Sequence, residues 1–187
     1  MEEKKYKLLE GETIEVDGRT LYRIEALRDF GDVKAGDKGG YVESEKNLSH
    51  DGNCWVYDDA EVYESARVYG CAEVYGDARV FCDARVYGNA EVYGDARVYD
   101  RADVFGDAEV GGDAWVVDKE DYIVFKNWWS SGRYFTWTRS NNMWRVGCFY
   151  GTGDELIRKA YNDSKRSGRE YERIVKYVEE ILKDGRE

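Results

Sequence analysis

Residues 84–99 read ARVYGNAEVYGDARVY, and the same six-residue unit, Ala-x-Val-Tyr-Gly-Asp with small variations, runs from Cys54 to Lys119. Those 66 residues hold 11 consecutive copies, in register at Val56, Val62, Val68, Val74, Val80, Val86, Val92, Val98, Val104, Val110 and Val116. A unit this short cannot bury an apolar face by itself and must stack on copies of itself, so the period predicts a β-solenoid. Within a hexad, Ala and Val lie two apart and face inward. The residue between them and the following Tyr or Phe face outward. Gly-Asp or Gly-Asn then makes a corner, because Gly accepts positive φ and Asp or Asn bonds its own backbone. Three corners close a triangle of 18 residues.

The pairs Val62 and Ala66, Val68 and Ala72, and Val74 and Ala78 place a small residue four positions after an aliphatic one. In this the chain resembles the hexapeptide-repeat superfamily, which implies a left-handed parallel β-helix and trimeric assembly. That superfamily contains acyltransferases, carbonic anhydrases and plain scaffolds, so the resemblance implies architecture rather than chemistry. Residues 26–57, ALRDFGDVKAGDKGGYVESEKNLSHDGNCWVY, and residues 146–157, VGCFYGTGDELI, are similar to segments of uncharacterised bacterial and phage hexapeptide-repeat proteins with a small C-terminal α+β domain. The expected fold is mainly β: a left-handed β-helix of about four coils with an N-terminal hairpin cap and a C-terminal meander plus two helices.

Three segments follow: a cap and lead-in over 1–47, the solenoid over 48–119 and an α+β domain over 120–187. Residues 5–9 read as a strand, and IEV and RTLYRIEAL form a tight hairpin about Asp17-Gly18. After Lys119, aromatic-rich runs at 121–128, 133–139 and 143–150 predict a three-stranded meander. Thr152-Gly153-Asp154-Glu155 is a capping box opening a first helix, and a second runs from about Gly168 to Lys183 with Tyr171, Ile174, Val175, Val178, Ile181 and Leu182 on its apolar stripe.

Charge is uneven. The chain holds 28 Lys+Arg and 39 Asp+Glu, net −11; residues 120–187 hold 13 and 11, which leaves 15 and 28 before them. A surface of net −13 repels duplex nucleic acid. No apolar stretch of about 18 residues is present and MEEKKYKLLE lacks a signal-peptide pattern, so a cytoplasmic protein of a bacterial host is expected, without membrane association. The four cysteines, Cys54, Cys71, Cys82 and Cys148, show no metal spacing and read as reduced thiols. No cofactor is expected.

The single histidine, His50, falls six residues before Val56, at the inward valine phase, and reads as a packed or capping residue rather than a general base. A three-histidine zinc site is impossible with one histidine. The outward positions carry two expectations. Steps of 18 stack Tyr57, Tyr75 and Tyr93 with Glu73, Glu91 and Glu109 on a first face. They stack Tyr63, Phe81 and Tyr99 with Arg79 and Arg97, after Glu61, on a second, and Tyr69, Tyr87 and Phe105 with Arg67 and Arg85 on a third. The first face of one copy meeting an arginine face of the next would close a trimer, with Tyr57, Glu73, Tyr75, Glu91, Tyr93, Glu109, Arg79 and Arg97 as its interface.

The second expectation concerns the meander, which concentrates Lys126, Trp128, Trp129, Arg133, Trp137, Arg139 and Arg145. Aromatic planes flanked by guanidinium groups suit a nucleotide-like ligand, and the alternative is burial against the helices. The expected function is a non-catalytic oligomeric binding protein of phage or prophage origin, gripping a host protein or a small nucleotide-like ligand, with a role against host defence. A structural trimerisation scaffold and an acyltransferase are the alternatives.

Overall fold

The computed structural model describes residues 4–184; residues 1–3, which open the first expected segment, and 185–187, which close the third, lie outside the described residues. Strand β1 (Tyr6–Val16) and β2 (Arg19–Ala26) form the hairpin, with Asp17 at φ 50° and Gly18 at φ 76° supplying the two left-handed residues its turn requires. Residues 5–9 and IEV are not separate elements. They belong to one strand whose pairing slips between Leu9 and Thr13, so Glu10-Gly11-Glu12 bulges out. Strand β3 (Lys38–Val42) joins β2 and passes the chain to the solenoid.

Eleven two-residue strands follow, one per hexad: β4 (Trp55–Val56), β5 (Glu61–Val62), β6 (Arg67–Val68), β7 (Glu73–Val74), β8 (Arg79–Val80), β9 (Arg85–Val86), β10 (Glu91–Val92), β11 (Arg97–Val98), β12 (Asp103–Val104), β13 (Glu109–Val110) and β14 (Trp115–Val116). They stack in parallel as three sheets, ordered β4-β7-β10-β13, β5-β8-β11-β14 and β6-β9-β12, which gives a β-solenoid of about four turns. The repeat valines and alanines are buried to 1% exposure or less, a continuous apolar column. The first coil departs from the period. Leu48, not His50, pairs with Val68, so two extra residues widen the corner at 49–53 and His50 leaves the inward phase.

Outward rings stack as expected: Tyr63 on Phe81 at 5.2 Å, Phe81 on Tyr99 at 5.1 Å, Tyr69 on Tyr87 at 4.8 Å, Tyr87 on Phe105 at 5.4 Å and Tyr75 on Tyr93 at 5.1 Å. Burial pushes the phenols of Tyr57, Tyr63 and Tyr122 up to about 12. A raised phenol favours the folded state as long as it stays neutral. That contribution is complete below the unfolded value of about 10 and is lost as pH rises through the folded value. Thermal midpoints should therefore be flat up to about pH 10 and fall steeply towards pH 12 as phenolate absorbance appears. Ionisation of Tyr57, Tyr63 and Tyr122 near pH 10 with the fold intact would contradict this.

A parallel solenoid leaves different groups bare at its two ends. Most of the coil-to-coil bonds flanking the short strands run from an N–H to a carbonyl of the next coil, as Glu73 does to Ala90 and Glu91 to Ala108, while Val68 donates back to Asn47. The first coil therefore presents mainly unpaired carbonyls and the last mainly unpaired N–H groups. At the first end, the fully buried Lys5 donates from Nζ to Cys54 O (2.8 Å) and Gly52 O (3.4 Å), and Tyr6 Oη donates to Leu48 O (2.8 Å). At the last end acceptors answer: Thr136 Oγ1 takes the Glu109 N–H (2.9 Å), Ser140 Oγ that of Trp115 (2.6 Å) and Asp121 Oδ2 that of Val117 (2.8 Å). Side-chain donors thus meet carbonyls at the first edge, and acceptors meet these N–H groups at the last, where Tyr122 Oη also donates to Asp103 O (3.0 Å).

The expected three-stranded meander has four strands: β15 (Tyr122–Lys126), β16 (Tyr134–Thr138), β17 (Met143–Val146) and β18 (Phe149–Gly151). Gly147 at φ 57° turns the chain inside the run taken as one strand. Alternation splits this sheet between two partners. Tyr122, Thr136, Arg145 and Tyr150 meet the last coils, while Phe135, Trp137 and Trp144 pack on the helices. Helix α1 (Gly153–Asp163) starts at the Thr152–Glu155 capping box. Helix α2 (Lys165–Asp184) begins three residues before the expected Gly168, because Ser164 Oγ accepts the Ser167 N–H. Among the described residues no helix is long and apolar enough to cross a membrane.

Candidate functional site

The residues expected to bind a ligand on the meander do not converge. Trp129 and Trp137 lie in the core under the helices at 7% and 1% exposure, with Trp129 edge-on to Tyr171 at 4.9 Å. Trp137 Nε1 donates to Asn142 Oδ1 (2.9 Å), while Trp129 Nε1 is buried without a partner among the described residues. Trp128 is the exposed one, at 69%, with the Arg166 guanidinium 5.8 Å from its ring. Lys126 stands over Tyr134, Arg139 Nε donates to Glu120 O, and Arg133 is exposed beyond the strand. Arg145 points the opposite way from Trp137. It bonds Glu109 Oε2 at 2.8 Å and lies 5.3 Å from the Tyr93 ring, an arrangement that holds its guanidinium firmly charged. The strand covers only Tyr134–Thr138, so Arg133 and Arg139 flank it and stand exposed.

On the first face Tyr75 Oη donates to Glu91 (2.8 Å) and Tyr57 Oη to Glu73 (3.4 Å), each a tyrosine reaching one coil forward. Burial and the neighbouring Glu91 push the Glu73 carboxyl up. Glu109 is committed to Arg145 in the same chain. On the second face Arg79 pairs with Glu61 at 3.1 Å and Arg97 is exposed.

The third face differs from both. Arg67 and Arg85 stack one coil apart, are exposed, and make no ion pair among the described residues. With Lys46, Ser49, Val68 and Tyr69 they line an open groove of about 690 Å³. Arg67 and Arg85 also line an adjoining mixed pocket with Ser65, Asp83, Arg101 and Asp103. Towards the hairpin, Arg19 bridges Glu43 and Glu64 at 2.9 and 3.2 Å, one cation between two carboxylates. Sequence reading paired these arginines with the ladders but gave them no cavity, because Lys46 and Ser49 reach the groove only through the widened first corner.

His50 belongs to the cap. Its Nδ1 accepts the Lys5 N–H (3.2 Å), its ring stacks on Tyr6 at 4.4 Å, and Nε2 lies 3.7 Å from Glu45. Cys54 is buried in the inward alanine slot, its thiol pushed up by burial, and all four cysteines are free.

The fold and the repeat together define a β-solenoid protein with an α+β cap. No protein-family model matches the chain. A stretch of 38 residues is 50% identical to the uncharacterized acetyltransferase YdcK of Escherichia coli (strain K12), covering 20% of this chain and 12% of that protein. The match therefore spans about an eighth of that protein's length.

Proposed function

We propose that the protein is a non-catalytic binding protein that assembles as a homotrimer and takes an anionic partner, a host protein or a small nucleotide-like ligand. The observation that carries this reading is the third face. In a chain whose solenoid and cap are strongly acidic, cations without carboxylate partners stand around one groove, and desolvated or self-paired arginines would not. In the proposed trimer the first face of one copy, with Glu73 and Glu91, meets Arg79 and Arg97 of the next, so the third face stays outward. A phage or prophage origin and a role against host defence, in the bacterial cytoplasm, are the setting the proposal adopts for such capture.

Acyl transfer is the second reading, and the partial similarity to an uncharacterized acetyltransferase favours it. It requires acetyl-CoA turnover lost on His50→Ala. The cap contacts of His50 argue against a base there, since Nδ1 already accepts a backbone N–H. A plain scaffold, in turn, tolerates deletion of one 18-residue coil and retains no ligand.

Native mass spectrometry of gently purified protein tests the proposal. The expected spectrum is a trimer with a reproducible anionic adduct or bound host protein, and Glu73→Lys with Glu91→Lys is expected to yield monomers. A bare trimer favours the scaffold, and a bare monomer removes the interlocking faces too.

A further inference from the structure

The aromatic ladder of the third face ends one ring short. In each coil the ladder residue donates its N–H to the valine carbonyl of the next coil: Tyr69 to Val86, and Tyr87 to Val104. Ser49 makes the same bond to Val68, so Ser49 occupies the rung before Tyr69. Where the ladder demands a ring, a hydroxymethyl group stands. The outer side of Tyr69 is consequently part of the groove lined by Lys46, Ser49, Arg67, Val68, Tyr69 and Arg85. The second face shows the contrast: its first ring, Tyr63, is 2% exposed and bonded to Asp17 of the hairpin.

From this geometry we infer that the missing rung is a ligand site for a planar aromatic ring bearing a phosphate, a nucleotide in its simplest form. The inference rests on the binding reading above and relocates its site from the meander to the third face. A planar ring placed on Tyr69 continues a stack already spaced at 4.8 Å between Tyr69 and Tyr87, which every base can do because every base has a π-face. The phosphate then lies among Arg67, Arg85 and Lys46. Guanidinium groups form paired N–H donors to phosphate oxygens, and neither arginine is held in an ion pair among the described residues, although Asp103 stands one rung from Arg85. Duplex nucleic acid does not fit, since its bases are already stacked and its length would cross the acidic surface. Ser49 is the position that sets the size of the ring accepted.

Calorimetric titration of the full chain with AMP, adenosine and ribose 5-phosphate tests the site. AMP is expected to bind, and each half-ligand to bind at least about tenfold more weakly, since each keeps one of the two interactions. Ser49→Trp, which completes the ladder with the protein's own ring, is expected to abolish AMP binding with an unchanged thermal midpoint. Arg67→Glu with Arg85→Glu, both at exposed positions, is expected to weaken AMP by at least about tenfold, while Lys159→Ala on the far helix leaves it unchanged. Absence of AMP binding to the unmodified protein at millimolar concentration overturns the site, as does binding that survives both variants or adenosine binding as tightly as AMP. If AMP fails while the gently purified protein still carries an adduct, the site falls and the binding reading stands; an AMP-binding protein purified bare keeps the site and removes the claim that it holds its ligand in cells.

Discussion

Alanine at Gly40 is expected to destabilise the protein by about 3 kcal/mol, since overpacking against immovable backbone sits at the upper end of its usual range. Its Cβ would stand 2.5 Å from Ala60 O, 2.7 Å from Val56 Cγ1 and 3.0 Å from Tyr57 O, and two of those three atoms are backbone of the first full coil. Strand β3 passes so close because it must hand the antiparallel hairpin over to the parallel stack, pairing with β2 on one side and β5 on the other. Gly40 has ordinary strand geometry, so the cost is contact alone. Gly106→Ala supplies the comparison: φ is 70° and nothing lies within 4 Å, so only the left-handed backbone is penalised, by about 1 kcal/mol. Chemical denaturation of the two variants separates the causes. Equal losses would show that the hairpin does not press on the coil as described.

Trp137→Ala is expected to cost about 4 kcal/mol, the range for emptying a buried tryptophan site. The indole lies between the sheet and the helices with Phe135, Trp144, Leu156, Tyr171 and Val175, and its N–H is already held by Asn142. Trp128→Ala, which removes a side chain that is 69% exposed, should change stability by less than about 0.5 kcal/mol. The pair separates a core from a ligand surface in the meander. Unchanged stability of Trp137→Ala, with a lost ligand, would restore the meander as the site.

The solenoid was legible because its code is redundant. Eleven valines in one register leave no second way to bury them, and the aromatic ladders follow from the same period. An irregular start through Tyr41-Val42 and Leu48 was legible, whereas the size and place of the shift were not. Counting back in sixes from Val56 puts His50 inside, but nothing between Leu48 and Val56 marks where two extra residues enter; the bond from Ser49 to Val68 does. That displacement opens the third-face groove, so the groove was invisible for the same reason. The edge seals escaped as well. Lys5, Thr136, Ser140 and Asp121 are common surface residue types, and their roles depend on which end of a parallel stack they reach.

In the meander, composition shows a cluster of aromatic and cationic residues but not how the sheet divides it between two faces. Trp137 and Arg145 were read as one cluster, yet one packs on α2 and the other reaches Glu109 across the sheet. A sheet buried on both sides carries aromatics that resemble a binding platform, and composition does not tell the two apart.

A crystal structure of the protein soaked with AMP tests the central claim most directly. The account predicts adenine in the rung beyond Tyr69, parallel to its ring, with the phosphate between Arg67 and Arg85. Adenine stacked on Trp128 beside Arg166, or an empty third face at saturating AMP, would contradict it.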